Sequence, residues 1–187
     1  MTTPTRDADP FPAAYSWYLD NPLTRALSGR FVRRLGVEPG LRVLDVGCGP
    51  GRLTLPLARA VGDAGEVVGV DVQEEMVARV ARRAAAAGLT NVRTVRAPAG
   101  DAGLEPERFD LAVIAYVLGE IPQALRRRAL TEVSGALRPG GRVAVAEGVF
   151  DPHRQRVDQV AGIAKGAGLR VEAVERRPLA VLIRLRR

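Results

Sequence analysis

The stretch Val43-Leu-Asp-Val-Gly-Cys-Gly-Pro-Gly51 decides how the chain folds. It starts within a short apolar run, Leu41 to Val46, and closes in a cluster of glycines. Arg52 to Val61 follows, with Leu53, Leu57, Ala58 and Val61 on one helical face. A strand that turns through glycines into a helix aims backbone N–H groups and the positive end of the helix dipole at whatever sits over the turn. Glycine at 47, 49 and 51 permits positive φ and a close approach of backbone to ligand.

Outward from this unit the same alternation repeats. Glu66 to Asp71 reads as a second strand, and Gln73 to Ala87 as a helix with Met76, Val77, Val80, Ala81 and Ala84 inward and Gly88 as its stop. Asn91 to Arg96 is a third strand, then a loop with one helical turn at most, then a fourth strand from Phe109 to Tyr116. Pro122 to Leu137 is helical, with Leu125, Ala129, Val133 and Leu137 inward and Arg126 to Arg128 mostly on the solvent face. The sequence RPGG at 138–141 turns it into a fifth strand, Arg142 to Glu147. Arg154 to Ala167 is a last helix. Leu169 to Glu175 and Leu179 to Arg186 are strands joined only by Arg-Arg-Pro, too short for a parallel crossover, so they form an antiparallel hairpin at one edge.

The expected fold is α/β: a Rossmann-like, doubly wound seven-stranded sheet, six strands parallel and one antiparallel edge-hairpin strand, with helices on both faces. Residues 1–38 read as an arm with covering helices, Pro12 to Leu19 and Pro22 to Leu35, each opened by a proline; residues 39–187 read as the cofactor domain.

Composition narrows the class. With 187 residues, 47% hydrophobic and 26% charged, the chain is an ordinary globular protein with little room for a second domain. Its net charge of +7 raises the question of a polyanion partner, yet Lys165 is the only lysine and the arginines are scattered. The single cysteine, Cys48, excludes an internal disulfide and a cysteine zinc cluster, and fits a reducing cytoplasm. The opening residues lack the apolar core of a signal peptide, and no run approaches the roughly 20 apolar residues of a membrane span, so a cytoplasmic location is expected.

Spacing selects the ligand of the glycine turn. A dinucleotide fingerprint counted from Gly47 requires glycine at 52, where the chain has Arg52, and a P-loop ending is absent. Asp71 stands 20 residues after Gly51, where a carboxylate accepts both hydroxyls of a ribose. The site asks for a nucleoside with a small anionic head and no pyrophosphate, and S-adenosyl-L-methionine answers that description.

Here the chain resembles the class I S-adenosylmethionine-dependent methyltransferases. VLDVGCGPG (43–51) is similar to their first motif, GVDVQEEMV (69–77) to the acidic ribose segment, FDLAVIAYVLGEIP (109–122) to the fourth motif and LRPGGRVAVAE (137–147) to the fifth-strand motif. The fifth-strand wording resembles the ubiquinone and menaquinone biosynthesis type. The resemblance implies Asp45, Gly47, Cys48, Gly49 and Gly51 around the methionine end, Asp71 at the ribose, and Val72 and Gln73 beside the adenine. It implies Ala97, Pro98 and Ala99 at the adenine edge, where the family often has an acidic residue that Asp101 would replace, and Ala115 at the end of the fourth strand. The family's frequent histidine in the fourth motif is absent: the chain has Val117-Leu118-Gly119-Glu120.

Methyl transfer from a sulfonium is an in-line displacement that alignment and exclusion of water accelerate, and a base is needed only for an O–H or N–H nucleophile. Glu120, His153 and Tyr116, at or beyond the ends of the fourth and fifth strands, are the catalytic candidates. Those strand ends offer Tyr116 and Glu147 without a convergent set of carboxylates, so no metal is expected. Phe11, Tyr15, Trp17 and Tyr18 suggest a lid. The expected activity is methylation of a small molecule. One rival is RNA methylation through the basic end Arg176, Arg177, Arg184, Arg186 and Arg187. Against it, Ala115 to Leu118 lacks the Asn/Asp-Pro-Pro-aromatic signature of base-nitrogen enzymes, and no Pro-Cys nucleophile exists. A second rival is a non-catalytic, S-adenosylmethionine-binding partner subunit. The short chain leaves acceptor recognition to the arm, the strand-four and strand-five loops, or a second copy in a homodimer.

Overall fold

A computed structural model describes residues 22–187 of the chain, with side chains from residue 26 onward. The expected Pro12 to Leu19 helix and the aromatic lid residues lie outside the described residues. The first described helix, α1, is Pro22–Arg34; β1 is Arg42–Val46, α2 Thr54–Val61, β2 Glu66–Asp71, α3 Glu74–Ala86 and β3 Val92–Arg96. The second half comprises β4 Phe109–Ala115, α4 Gln123–Ala136, β5 Leu137–Gly148, α5 Val157–Gly166, β6 Arg170–Arg176 and β7 Ala180–Arg186.

The strands form one sheet in the order β3-β2-β1-β4-β5-β7-β6. The β1–β2, β1–β4, β2–β3 and β4–β5 pairs are parallel, while β7 is antiparallel to both β5 and β6. The hairpin stands at the edge and its last strand is the reversed one, as expected; β7 pairs with β5, and β6 lies outermost. Six strands point one way and one the other.

Buried side chains on both faces explain the apolar runs of the central strands. One face packs Leu44, Val68, Ile114 and Val145 under Leu130, Val133 and Val160 of α4 and α5. The other packs Val43, Val67, Leu111 and Ala144 under Val32 and Leu35 of α1 and Leu57, Ala58 and Val61 of α2. On α3 the buried residues are Met76, Val80 and Ala84. Ala81, expected inward, is exposed, since α3 covers only the narrow edge formed by β2 and β3.

Three further expectations are corrected. RPGG does not separate α4 from β5: Phe109 pairs with Leu137 and Leu111 with Arg142, so residues 138–141 bulge out within the strand, with Gly140 at φ +77°. Leu125 is 40% exposed because the first turn of α4 opens onto a cavity instead of the core. Arg126 is half-buried, with hydrogen bonds to the Gly119 and Ile121 carbonyls, whereas its neighbours Arg127 and Arg128 are exposed.

The order changes direction at β1, whose neighbours are β2 and β4. In open α/β sheets the crevice beyond the carboxyl ends of the strands at such a point receives ligands.

Candidate functional site

The β1–α2 turn is built by its glycines. The N–H groups of Gly47 and Cys48 both donate to the Val70 carbonyl, at 2.7 and 3.0 Å, which clips the turn to β2. Gly47 has φ +67°, and a Cβ there would stand 2.5 Å from the Val117 side chain, so any other residue would push the β4–α4 turn away. Gly49, at φ +50°, has open space where a Cβ would be. Gly51, at φ +83°, is not part of the cavity wall; it shapes the turn from behind, against Val80 of α3.

Asp71 closes β2 beside this turn. Its Oδ2 accepts from the Gly49 N–H and its Oδ1 from the Gln73 N–H, both at 2.9 Å. Each carboxylate oxygen keeps a further lone pair for a ligand hydroxyl. Below it Asp45 is buried and accepts a 2.6 Å bond from Thr54 Oγ1. Burial, aided by the Asp71 charge, holds the Asp45 carboxyl up at about 6 against the Thr54 hydrogen bond and Arg52. Burial first, then Asp45 and Asp71, pushes the Cys48 thiol well above its ordinary range, so it is not a nucleophile.

A cavity of about 1150 Å³ extends from this turn. Asp45, Gly47, Cys48, Gly49, Asp71, Val72, Gln73, Ala97, Pro98, Ala99 and Ala115 all line it, as do Tyr116 and Glu120. Val72 is 47% exposed, an apolar surface suited to the face of a base. Asp101 is not in the wall: its carboxylate points away to Arg128, Nη2 to Oδ1 3.0 Å. His153 is not in the wall either. Its N–H donates to Asp151 Oδ1 at 2.8 Å, its carbonyl accepts from Gln155 Nε2 at 3.0 Å, and Asp151 faces the cavity in its place.

Tyr116 is held with φ +61°, a strained setting for a residue with a Cβ, and the Arg52 guanidinium lies 5.4 Å from its ring centre. Such strain persists only where the surroundings enforce it. Here the Tyr116 N–H is tied to the Ala146 carbonyl at 2.8 Å. The far wall comes from α1, through Leu27, Arg30, Phe31 and Arg34, and from the hairpin tip, through Arg177, Pro178 and Leu179. Local reading of the sequence missed Arg52, Asp151 and these wall residues. Arg52 was within reach, directly after the glycine turn; the others meet only through the tertiary fold.

The fold and this site together define a class I, S-adenosylmethionine-dependent type of domain. Residues 43–141, just over half the chain, match the methyltransferase domain family, and the chain belongs to that family. It is 36% identical over 118 residues to the demethylmenaquinone methyltransferase of Staphylococcus aureus strain MRSA252, a match covering 63% of this chain and 47% of that protein. The chain spans about half the length of the curated relatives it matches. Its fold is similar to a SAM-dependent methyltransferase from Aquifex aeolicus, with a TM-score of 0.85 and 25% identity over 94% of this chain and 98% of that one. It is also similar to the [4+2]-cyclase SpnF, with a TM-score of 0.75 and 19% identity over 88% and 80% of the two chains. The architecture is thus shared with a protein named for a different reaction, and the fold alone does not fix the chemistry.

Among the described residues no cluster of three or more His, Cys, Asp and Glu side chains is arranged to hold a metal ion, and no helix is long and apolar enough to cross a membrane.

Proposed function

We propose that this protein transfers a methyl group from S-adenosylmethionine to a small-molecule acceptor. The observation that carries the reading is one continuous cavity with two unlike ends. At one end stand backbone N–H groups and a carboxylate already oriented by Gly49 and Gln73; at the other stands a mixed wall drawn from α1 and the hairpin, with Leu27, Phe31, Pro178 and Leu179 beside Arg30, Arg34 and Arg177.

The residues present fit the cofactor. Gly49 leaves open the space a Cβ would fill, Asp71 offers acceptors for ribose hydroxyls, and Val72, Ala97, Pro98 and Ala99 offer small apolar surfaces for a purine. The bound cofactor supplies a methyl carbon already activated on a sulfonium. The protein's own contribution is alignment and dryness. Tyr116, fixed by its backbone bond and by Arg52, forms the wall between the two ends. Glu120, whose N–H donates to the Val117 carbonyl at 2.9 Å, places a carboxylate on the acceptor side, where it takes the proton of an O–H or N–H nucleophile.

The RNA reading is not favoured. The basic C-terminal hairpin is partly paired within the fold: Arg177 and Arg184 share Glu175, Arg186 pairs with Glu172 and Arg187 with Glu107, so three carboxylates offset part of its positive charge. The partner-subunit reading has no observation in its favour, since the cavity continues past the cofactor end. A cytoplasmic location accords with this reading.

Calorimetry with S-adenosylmethionine, followed by transfer of a radiolabelled methyl group to a panel of small phenols, amines and carboxylic acids, tests the proposal. Cofactor binding together with label in a small-molecule product is expected. Absence of cofactor binding overturns the reading, and binding with label transferred only to RNA overturns the acceptor class.

A further inference from the structure

Beneath the acceptor side lies a carboxyl that neither the cofactor end nor the acceptor wall uses. Glu147, near the end of β5, is 2% exposed, and neither of its carboxyl oxygens has a hydrogen-bond partner. It follows Ala146, which lines the cavity, and therefore projects to the opposite face of the sheet. Buried polar groups are nearly always satisfied, and a carboxyl with two orphan oxygens calls for an explanation.

The surroundings supply one. Three nearby charges act on Glu147: Asp151 from the β5–α5 connection, Arg126 from α4 and Glu120 from the β4–α4 turn. Arg126 holds the two connections together. It donates from Nη2 to the Gly119 carbonyl at 2.9 Å, from Nε to the Ile121 carbonyl at 2.8 Å and from Nη1 to Gln155 Oε1 at 2.9 Å. Gln155 passes the link on to the His153 carbonyl, which itself presses on Gly119 so closely that a Cβ there would lie 2.0 Å away. The cavity acids Glu120 and Asp151 thus ride on segments fastened by one guanidinium next to a carboxyl without a partner.

We propose that Glu147 is a positioning residue, whose charge decides whether Arg126 stays on the backbone of the Glu120 turn or swings to the carboxylate, and so where Glu120 and Asp151 stand. The methyl-transfer reading enters only in the role given to Glu120; the coupling itself does not require it. In the arrangement described above Arg126 sits on the carbonyls and on Gln155, as it does when Glu147 is neutral. Loss of the proton creates a buried negative charge that attracts Arg126 and repels Glu120 and Asp151. Burial first, and the neighbouring Asp151 and Glu120 charges with it, pushes the carboxyl up to about 7, opposed by Arg126 and by the Gln155 backbone N–H, which does not reach hydrogen-bond geometry. The exchange therefore falls near neutral pH.

Hydrogen exchange of the full chain at pH 6 and pH 8, corrected for intrinsic rates, tests this without an acceptor. In the wild type, protection over residues 116–121 and 148–156 is expected to fall about tenfold between the two, while β1, β2 and β4 hold theirs; in Glu147→Gln the fall disappears. Protection that is equal at both pH values in the wild type, or falls equally in the variant, overturns the proposal. Carbon-13 titration of glutamate carboxyls in the wild type gives a second test independent of the variant's folding. A resonance with a midpoint near 7 that tracks the loss of protection supports it, and its absence overturns it. Calorimetry separates the two readings: if the wild type fails to bind S-adenosylmethionine the proposed function falls, while the exchange result stands on its own.

Discussion

The two ends of the cavity are made differently. The cofactor end consists of one strand–turn–helix unit with the tips of the next two strands, and its polar contacts are backbone N–H groups and two carboxylates, Asp45 and Asp71. The acceptor end is assembled from α1, the β4–α4 turn, the β5–α5 connection and the hairpin tip, segments far apart in sequence, and works through side chains. The first kind of site is set by local geometry and tolerates little change in ligand. The second is set by tertiary packing, and one fold can carry different chemistries through sites built in this way.

The same substitution placed at each end sharpens the contrast. Gly119→Ala drives a Cβ into the His153 backbone and forces two connections apart, so urea denaturation is expected to show a loss of about 3 kcal/mol. Gly49→Ala meets open space and suffers only from its positive φ, with a loss of about 1 kcal/mol. Equal losses would mean that the ends are not built differently.

Acid–base behaviour is the feature the two ends share. Glu147 is raised from 4.5 to about 7, so the folded state holds its proton more tightly than the unfolded chain. The stability this gives is fully present below about 4.5 and disappears as pH rises through 7, a contribution of about 3 kcal/mol. Asp45, raised to about 6, acts in the same direction at the cofactor end. Glu147→Gln is therefore expected to be more stable than the wild type at pH 8 and to flatten, without abolishing, the decline in melting temperature from pH 5 to 8. A wild type whose stability rises over that range would contradict the account.

Glu120→Gln is expected to lower turnover about 100-fold for an O–H or N–H acceptor, while the S-adenosylmethionine Kd stays within about threefold. Parallel loss of both would make Glu120 a structural residue of the turn. The smallest effect belongs to Asp101→Ala. Its carboxylate is 70% exposed and engaged with Arg128, so cofactor affinity should move by less than about twofold.

What was legible in the sequence follows the same division. The glycine turn, the acidic end of β2 and the parallel strands were readable because φ-permissive glycines, a terminal carboxylate and doubly buried apolar runs are local signals. Gly47, Gly49 and Asp71 line one cavity together. Leu125 was misread because helical periodicity does not reveal that a cavity, not core, lies over the first turn of α4, and the burial of Arg126 depends on carbonyls of the preceding turn and on Gln155, which periodicity does not reveal either. His153 was placed near the reacting centre by its position after β5, but the turn there brings Asp151, not His153, to the cavity wall. Asp101 was a substitution by proximity in sequence, and Arg128 of α4 decides its orientation instead. Glu147 was read only as a strand-end carboxylate that joins no metal-binding set, since neither its burial nor its lack of partners leaves a trace in the sequence.

The central claim is that Asp71 and the glycine turn hold S-adenosylmethionine, and titration calorimetry of the wild type and Asp71→Ala measures it most directly. The account predicts that the wild type binds and that the variant binds at least about tenfold more weakly, through loss of the charge-assisted ribose bonds. A wild type that does not bind, or a variant with an unchanged Kd, would contradict it.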